Sequence, residues 1–145
     1  MTTLSDVEYP VVVFGRPKCP MEYVKSRSEL ESAHYNSVSA MNGMNELFLV
    51  DSRGRKYSLG DVALMHKPGP IRRLLHAFTD PVVTIVFRRI QPEGEMALEE
   101  FRDRMLLDLD ENRDYWADLS TYEDLQARMR TRRSVTELIE LLKGL

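Results

Sequence analysis

Four carboxylates on one stretch carry most of this chain's chemical potential. Glu99, Asp103, Asp110 and Asp114 lie within Met96 to Trp116, MALEEFRDRMLLDLDENRDYW. Helical spacing puts them on an acidic face, separate from an apolar stripe of Leu98, Phe101, Met105, Leu109 and Trp116. Carboxylates can ligate a metal or act as an acid–base pair. A metal site needs ligands from other elements as well, and the Glu-x-x-His motif of helix-bundle metal sites is absent from the sequence. What remains is electrostatic, because an acidic face attracts and steers a basic partner. Tyr115 and Trp116 stand at the C-terminal end of this stretch, and aromatics beside acids suit interface anchors. The plainer alternative is a solvated face partly balanced by Glu100 and Arg104 at i, i+4, with Trp116 closing the core.

The one thiol offers a second chemistry. Cys19 follows a β-prone run in VVVFGRPKCP, where Arg16, Lys18 and a helix N-terminus would favour the thiolate. The segment resembles the start of a glutaredoxin or another thioredoxin-like protein, which implies a single-cysteine redox role for Cys19. The chain departs from that pattern in having no second cysteine for a Cys-x-x-Cys and in flanking the thiol with Pro17 and Pro20. Asp80-Pro81 also precedes its strand, so it does not supply a substrate-binding cis-proline after one.

A third possibility is anion binding by Arg72 and Arg73, which follow His66 and Lys67 at a helix start. The glycine and lysine spacing is not that of a P-loop, and exposed arginines on a solvated loop are the plainer reading. His34, His66 and His76 are scattered without metal-ligand spacing. No metal or cofactor is expected.

Composition bounds these options. The 145 residues, 43% hydrophobic and 30% charged, fit one soluble domain able to bury a core unaided. A single cysteine forms no internal disulfide, which favours a reducing compartment. The N-terminus lacks a signal pattern and no apolar run could span a bilayer, so a cytoplasmic protein with no membrane segment is expected. Net charge is −3, unevenly spread. Residues 1–90 hold 12 basic and 9 acidic side chains, residues 91–118 hold 3 and 10, and residues 119–145 hold 5 and 4. Acidity concentrated in one helix argues against a nucleic-acid partner, which wants a basic footprint.

These residues need elements to position them. Val82 to Phe87, VVTIVF, reads as a buried strand that runs on to Ile90, followed by a Pro92–Gly94 turn and the long acidic helix. Strands are also expected at Pro10–Phe14, Glu22–Lys25 and Glu46–Val50. Lys56–Leu59 returns after an Asp51–Gly54 turn, and Val62–Met65 could extend the sheet. Ser28 and Glu31 fit a capping box opening a helix that ends near His34, and residues 36–45 read as a loop. Pro70 suits a first helical turn, with Ile71, Leu74, Leu75 and Phe78 at i, i+3, i+4 and i+7. Two further capping boxes, Ser120 to Glu123 and Ser134 to Glu137, open helices with Tyr122, Leu125 and Met129, and then Leu138, Ile139, Leu141 and Leu142, inward.

The expected fold is a single α+β domain over residues 1–145, a mostly antiparallel sheet with helices packed on one face and a helical C-terminal third. Without a nucleophile–base pair, metal cluster or phosphate loop, the leading expectation is a small non-catalytic binding protein. It would dock a basic protein through Glu99, Asp103, Asp110, Asp114, Tyr115 and Trp116. In physical type this is similar to regulatory inhibitors and to the immunity proteins that neutralise nuclease toxins. The alternatives are a redox protein using Cys19 and a small-anion binder using Arg72 and Arg73.

Overall fold

Alternating apolar residues build a six-stranded antiparallel sheet in the computed structural model, which describes residues 3–16, 20–43, 46–119 and 122–143. The strands are β1 (Val11–Phe14), β2 (Glu22–Val24), β3 (Ser32–His34), β4 (Phe48–Val50), β5 (Arg55–Leu64) and β6 (Val82–Glu95). Their order is β2-β1-β4-β5-β6-β3, and every pairing is antiparallel. Cys19 and the redox role assigned to it lie outside the described residues. The described strands contain no parallel βαβ unit of the kind that accompanies a thioredoxin-like motif.

Side-chain alternation along β1 explains its unbroken apolar run. Val11 and Val13 enter one core and Val12 and Phe14 the other. The first core gathers Leu49, Leu59, Ile85 and Phe87 with Leu30 of α1 (Arg27–Leu30) and Met41 of α2 (Val38–Asn42). The second places Phe14, Phe48 and Val50 beneath α4 (Leu98–Glu111), α5 (Arg113–Leu119), α6 (Tyr122–Thr131) and α7 (Val135–Leu142). Phe101, Met105, Leu109, Leu125, Met129, Leu138 and Ile139 are all buried there. The C-terminal third is thus helical and lies on one face of the sheet. The α+β architecture read from the sequence holds.

The sheet curls because β5 and β6 are long and irregular. Asp61 sits at φ +50, and the inward alternation shifts by one around it. Tyr57 and Leu59 before it, and Val62 and Leu64 after it, therefore reach the same core. Near the far end, three residue steps on β6 (Pro92 to Glu95) match two on β5 (Arg55 to Tyr57). Gly94, at φ +84, takes up that extra residue as a bulge.

Several expectations change here. Residues 92–94 form no turn, because β6 continues through them paired with β5. The Val82–Phe87 run is half-buried: Ile85 and Phe87 point inward while Val82 is exposed. The helix expected after Ser28 is one turn, capped by Ser26, whose hydroxyl accepts from the Glu29 N–H. Residues 32–34 then leave it to pair with β6, a long-range partner that local capping signals do not reveal. Part of the expected 36–45 loop is helical, in a 3-10 turn at Tyr35–Ser37 and in α2. The long acidic helix is two helices, because Asn112 leaves helical geometry at φ −117 and ψ 37. Ser120 and Thr121 lie outside the described residues. Ser134 does cap α7, accepting from the Glu137 N–H, while the Glu137 carboxylate reaches back to the Arg133 N–H instead of its own cap.

The helix α3 (Pro70–Thr79) joins β5 to β6 and starts with Pro70 at its first position. Asp80, at φ +47, closes it, with its N–H bonded to the His76 carbonyl. It is mounted on the body by one side. The Tyr35 ring meets His76 edge-on at 5.1 Å, and Asn36 bonds the Asp80 carboxylate at 2.8 Å and the Ala77 carbonyl at 3.1 Å. No α3 residue is buried.

Candidate functional site

The acidic face is positioned by what lies beneath it. Phe101, Met105 and Leu109 turn α4 onto the second core, so the opposite side of the helix faces water. Leu107 is at the centre of that outer side, half-exposed. Glu100, Asp103, Asp110 and Glu111 flank it at i−7, i−4, i+3 and i+4, and all four are exposed. The result is an apolar knob rimmed by carboxylates. Sequence periodicity missed Leu107, Glu100 and Glu111 as members of this surface. Their signal was available, because the residues opposite a buried stripe share a face as surely as the stripe does.

The carboxylates are not equally free. Glu99 lies toward the edge of the face and pairs with Arg102, which also bonds the carbonyls of Met129 and Arg132. Asp110 pairs with Arg113 at 3.1 Å and accepts from the Tyr122 hydroxyl at 3.2 Å. Arg113 in turn lies 4.4 Å over the Tyr122 ring. Asp103 and Asp114 make no ion pair among the described residues. The expected Glu100–Arg104 pair does not form. Arg104 instead lies 4.9 Å over the Phe14 ring and 5.8 Å from that of Phe48. That leaves Glu100 in water and the face more negative than the sequence pattern implied.

The two aromatics meet edge-on at 5.1 Å but differ in burial. Tyr115 is half-exposed and belongs to the surface. Trp116 is buried, so it serves the core and cannot touch a partner directly. Its indole Nε1 donates to the Asp108 carboxylate at 3.3 Å, and both Asp108 oxygens accept from the Met21 N–H at 3.1 Å. Asp108 thus ties the segment entering β2 to the junction of α4 and α5. It is an acid placed at core spacing, seven residues after Phe101 and three after Met105, and that placement was the legible sign of a buried polar role.

Burial is the main reason the Asp108 carboxyl is held above the usual carboxylate range; the bonds from Met21 and Trp116 and the charge of Arg104 only partly oppose it. A raised folded pKa means the native state binds the proton more tightly than the unfolded chain. Its contribution to stability is therefore fullest at low pH and is lost as pH rises through the raised value. Asp108→Asn removes the titration, so stability relative to the parent should improve on raising pH from below the ordinary carboxylate range to neutrality. Urea midpoints measured across that range check this; parallel pH curves for parent and variant would show that Asp108 does not titrate differently in the two states.

Arg72 and Arg73 are exposed on α3 but do not converge. Neighbouring helical residues point about 100° apart, and Arg72 lines a shallow cleft with His66, Lys67 and His76 that Arg73 does not line. Among the described residues, no group of three or more His, Cys, Asp or Glu side chains could hold a metal ion, and no helix is long and apolar enough to cross a membrane. Comparison with family models, with curated proteins and with solved structures returns no match.

Proposed function

We propose that this chain is a small non-catalytic recognition protein that docks a basic protein through the outer face of α4, as an inhibitor, immunity-type or regulatory partner does. The observation that supports this reading is Leu107 exposed at the centre of a ring of carboxylates. Interfaces commonly pair a desolvated apolar centre with a polar rim, and like-charged rims steer encounter with partners of opposite sign. Asp103 and Asp114, without an ion pair among the described residues, are the charges most available to a partner. Tyr115 extends the contact toward α5. Basic partners captured from a native lysate and eluted by rising salt supply the binding measurement.

Asp103→Lys/Asp110→Lys should slow association with such a partner by about tenfold or more and reverse part of its salt dependence, since steering contributes factors of this size. The fold should stay intact because both side chains are exposed. Alanine at the same sites should cost less, because lysine adds repulsion to the loss of attraction. Association rates against ionic strength decide the matter. A basic partner bound as fast and as tightly by the double lysine variant as by the parent would reduce the acidic face to a solvated surface.

A further inference from the structure

Among the described residues, the largest exposed apolar feature is on α3. Ile71, Leu74, Leu75 and Phe78 are 80%, 63%, 57% and 85% exposed. An amphipathic helix normally turns such a stripe toward a core. Here His76 on the opposite side packs against Tyr35, and Asn36 fastens the C-terminal turn, so the mounting itself holds the stripe outward. Four large side chains in one stripe make a patch of several hundred Å2, roughly the size at which apolar surface marks an interface.

We propose that this stripe is a self-association surface, on which two copies of this chain pack their α3 helices antiparallel about a two-fold axis. The stripe is its own complement. Its large residues are spaced three, one and three apart, an order that reads the same in both directions. In an antiparallel pair Ile71 of each copy meets Phe78 of the other, and the Leu74 and Leu75 side chains meet at the axis. Such an isologous contact is the usual geometry of a closed homodimer.

The charges also fit. Arg72 and Arg73 stand in the first turn of α3, and residues 62–79 contain no acid to pair with them. Both lie off the stripe, Arg72 in the cleft with His76, and antiparallel packing sets the two arginine pairs at opposite ends of the contact, each toward the end where the other copy's helix dipole is negative. A parallel pair would instead bring four arginines together. Met65 and Val82, which flank α3 in the chain, are exposed as well. Fully covered, the stripe would bury several hundred Å2 a copy, approaching the roughly 800 Å2 per partner of a standard interface.

Sedimentation equilibrium of the full chain over a wide concentration range tests the proposal. The expected mass rises to twice the monomer's 16.8 kDa. Leu75→Arg puts two guanidinium groups at the axis and should return the mass to the monomer value with an unchanged far-UV spectrum. Phe78→Ser carries the same expectation without added charge, should the arginine variant fail to fold. Asp103→Lys/Asp110→Lys should dimerise like the parent, which keeps this result separate from the fate of the α4 reading. A parent that stays monomeric, or Leu75→Arg and Phe78→Ser both folded and still dimeric, would overturn the α3 dimer. So would a monomeric parent that binds phosphatidylserine vesicles through the same stripe, or a loss of dimer in the α4 lysine variant.

Discussion

Phe101→Ala should lower the free energy of unfolding by about 3–5 kcal/mol, the cost of emptying a phenylalanine site that cannot collapse. Phe101 is fully buried and meets the Phe14 ring edge-on at 6.0 Å, while Phe14 stacks on Phe48 at 4.9 Å. These three rings join α4 to β1 and β4, so the cavity would open between the sheet and the helix that carries the acidic face. Glu99→Ala, one half-turn away on the surface, should be nearly neutral. The Glu99 carboxylate is solvent-exposed, and Arg102 keeps its bonds to the Met129 and Arg132 carbonyls without it, so the lost pair contributes little. Chemical denaturation of both variants measures the contrast. Equal small losses would mean that the apolar stripe of α4 does not anchor the helix.

Asp51→Ala should be comparably damaging, at about 3–5 kcal/mol, because it removes one buried carboxylate on which three backbone N–H groups and the partly exposed Arg55 side chain depend. The Asp51 carboxylate is fully buried between β4 and β5. It accepts from the N–H groups of Glu8 at 3.2 Å, Arg53 at 3.0 Å and Arg55 at 2.9 Å, and from the Arg55 side chain at 2.9 Å. Alanine would strip the acceptor from all of them while the turn remained. Asp51→Asn restores one carbonyl acceptor for the Arg53 and Arg55 N–H groups but turns an amide donor toward Arg55. It should therefore recover only part of the loss. Urea midpoints with unchanged slopes check this. A loss below about 1 kcal/mol for Asp51→Ala would mean that the Gly54 N–H bond to the Asp51 carbonyl suffices to hold the turn.

These two residues differ in how openly the sequence announces them. Phe101 belongs to a periodic stripe and was expected in the core. Asp51 opens a turn whose residues were recognised, but its burial was not. Nothing local shows that the Glu8 N–H, far away in the chain, comes to close over it. Asp108 is a similar case, with its partners at Met21 and Trp116 supplied by different elements. In the candidate site Asp103, Asp110, Asp114 and Tyr115 were legible as surface residues. Trp116 was ambiguous because helical spacing assigns a residue to a side without saying what covers that side.

By itself the sequence determined the local grammar of this protein. Apolar period and turn chemistry placed β1, β2, β4, the Asp51 turn, α3, α4, α6 and α7 close to where they lie, because backbone preference and capping act over a few residues. Tertiary structure decided what local forces cannot reach. It paired residues 32–34 with β6, ran β6 through Pro92 and Gly94, and broke the acidic helix at Asn112. It also chose the direction of two faces: the α4 stripe went to the core, while the equally clear α3 stripe was held in solvent by Tyr35 and Asn36. Periodicity states which side chains point together. Which way they point depends on contacts between residues distant in the chain, and only the folded arrangement of the sheet and helices supplies those.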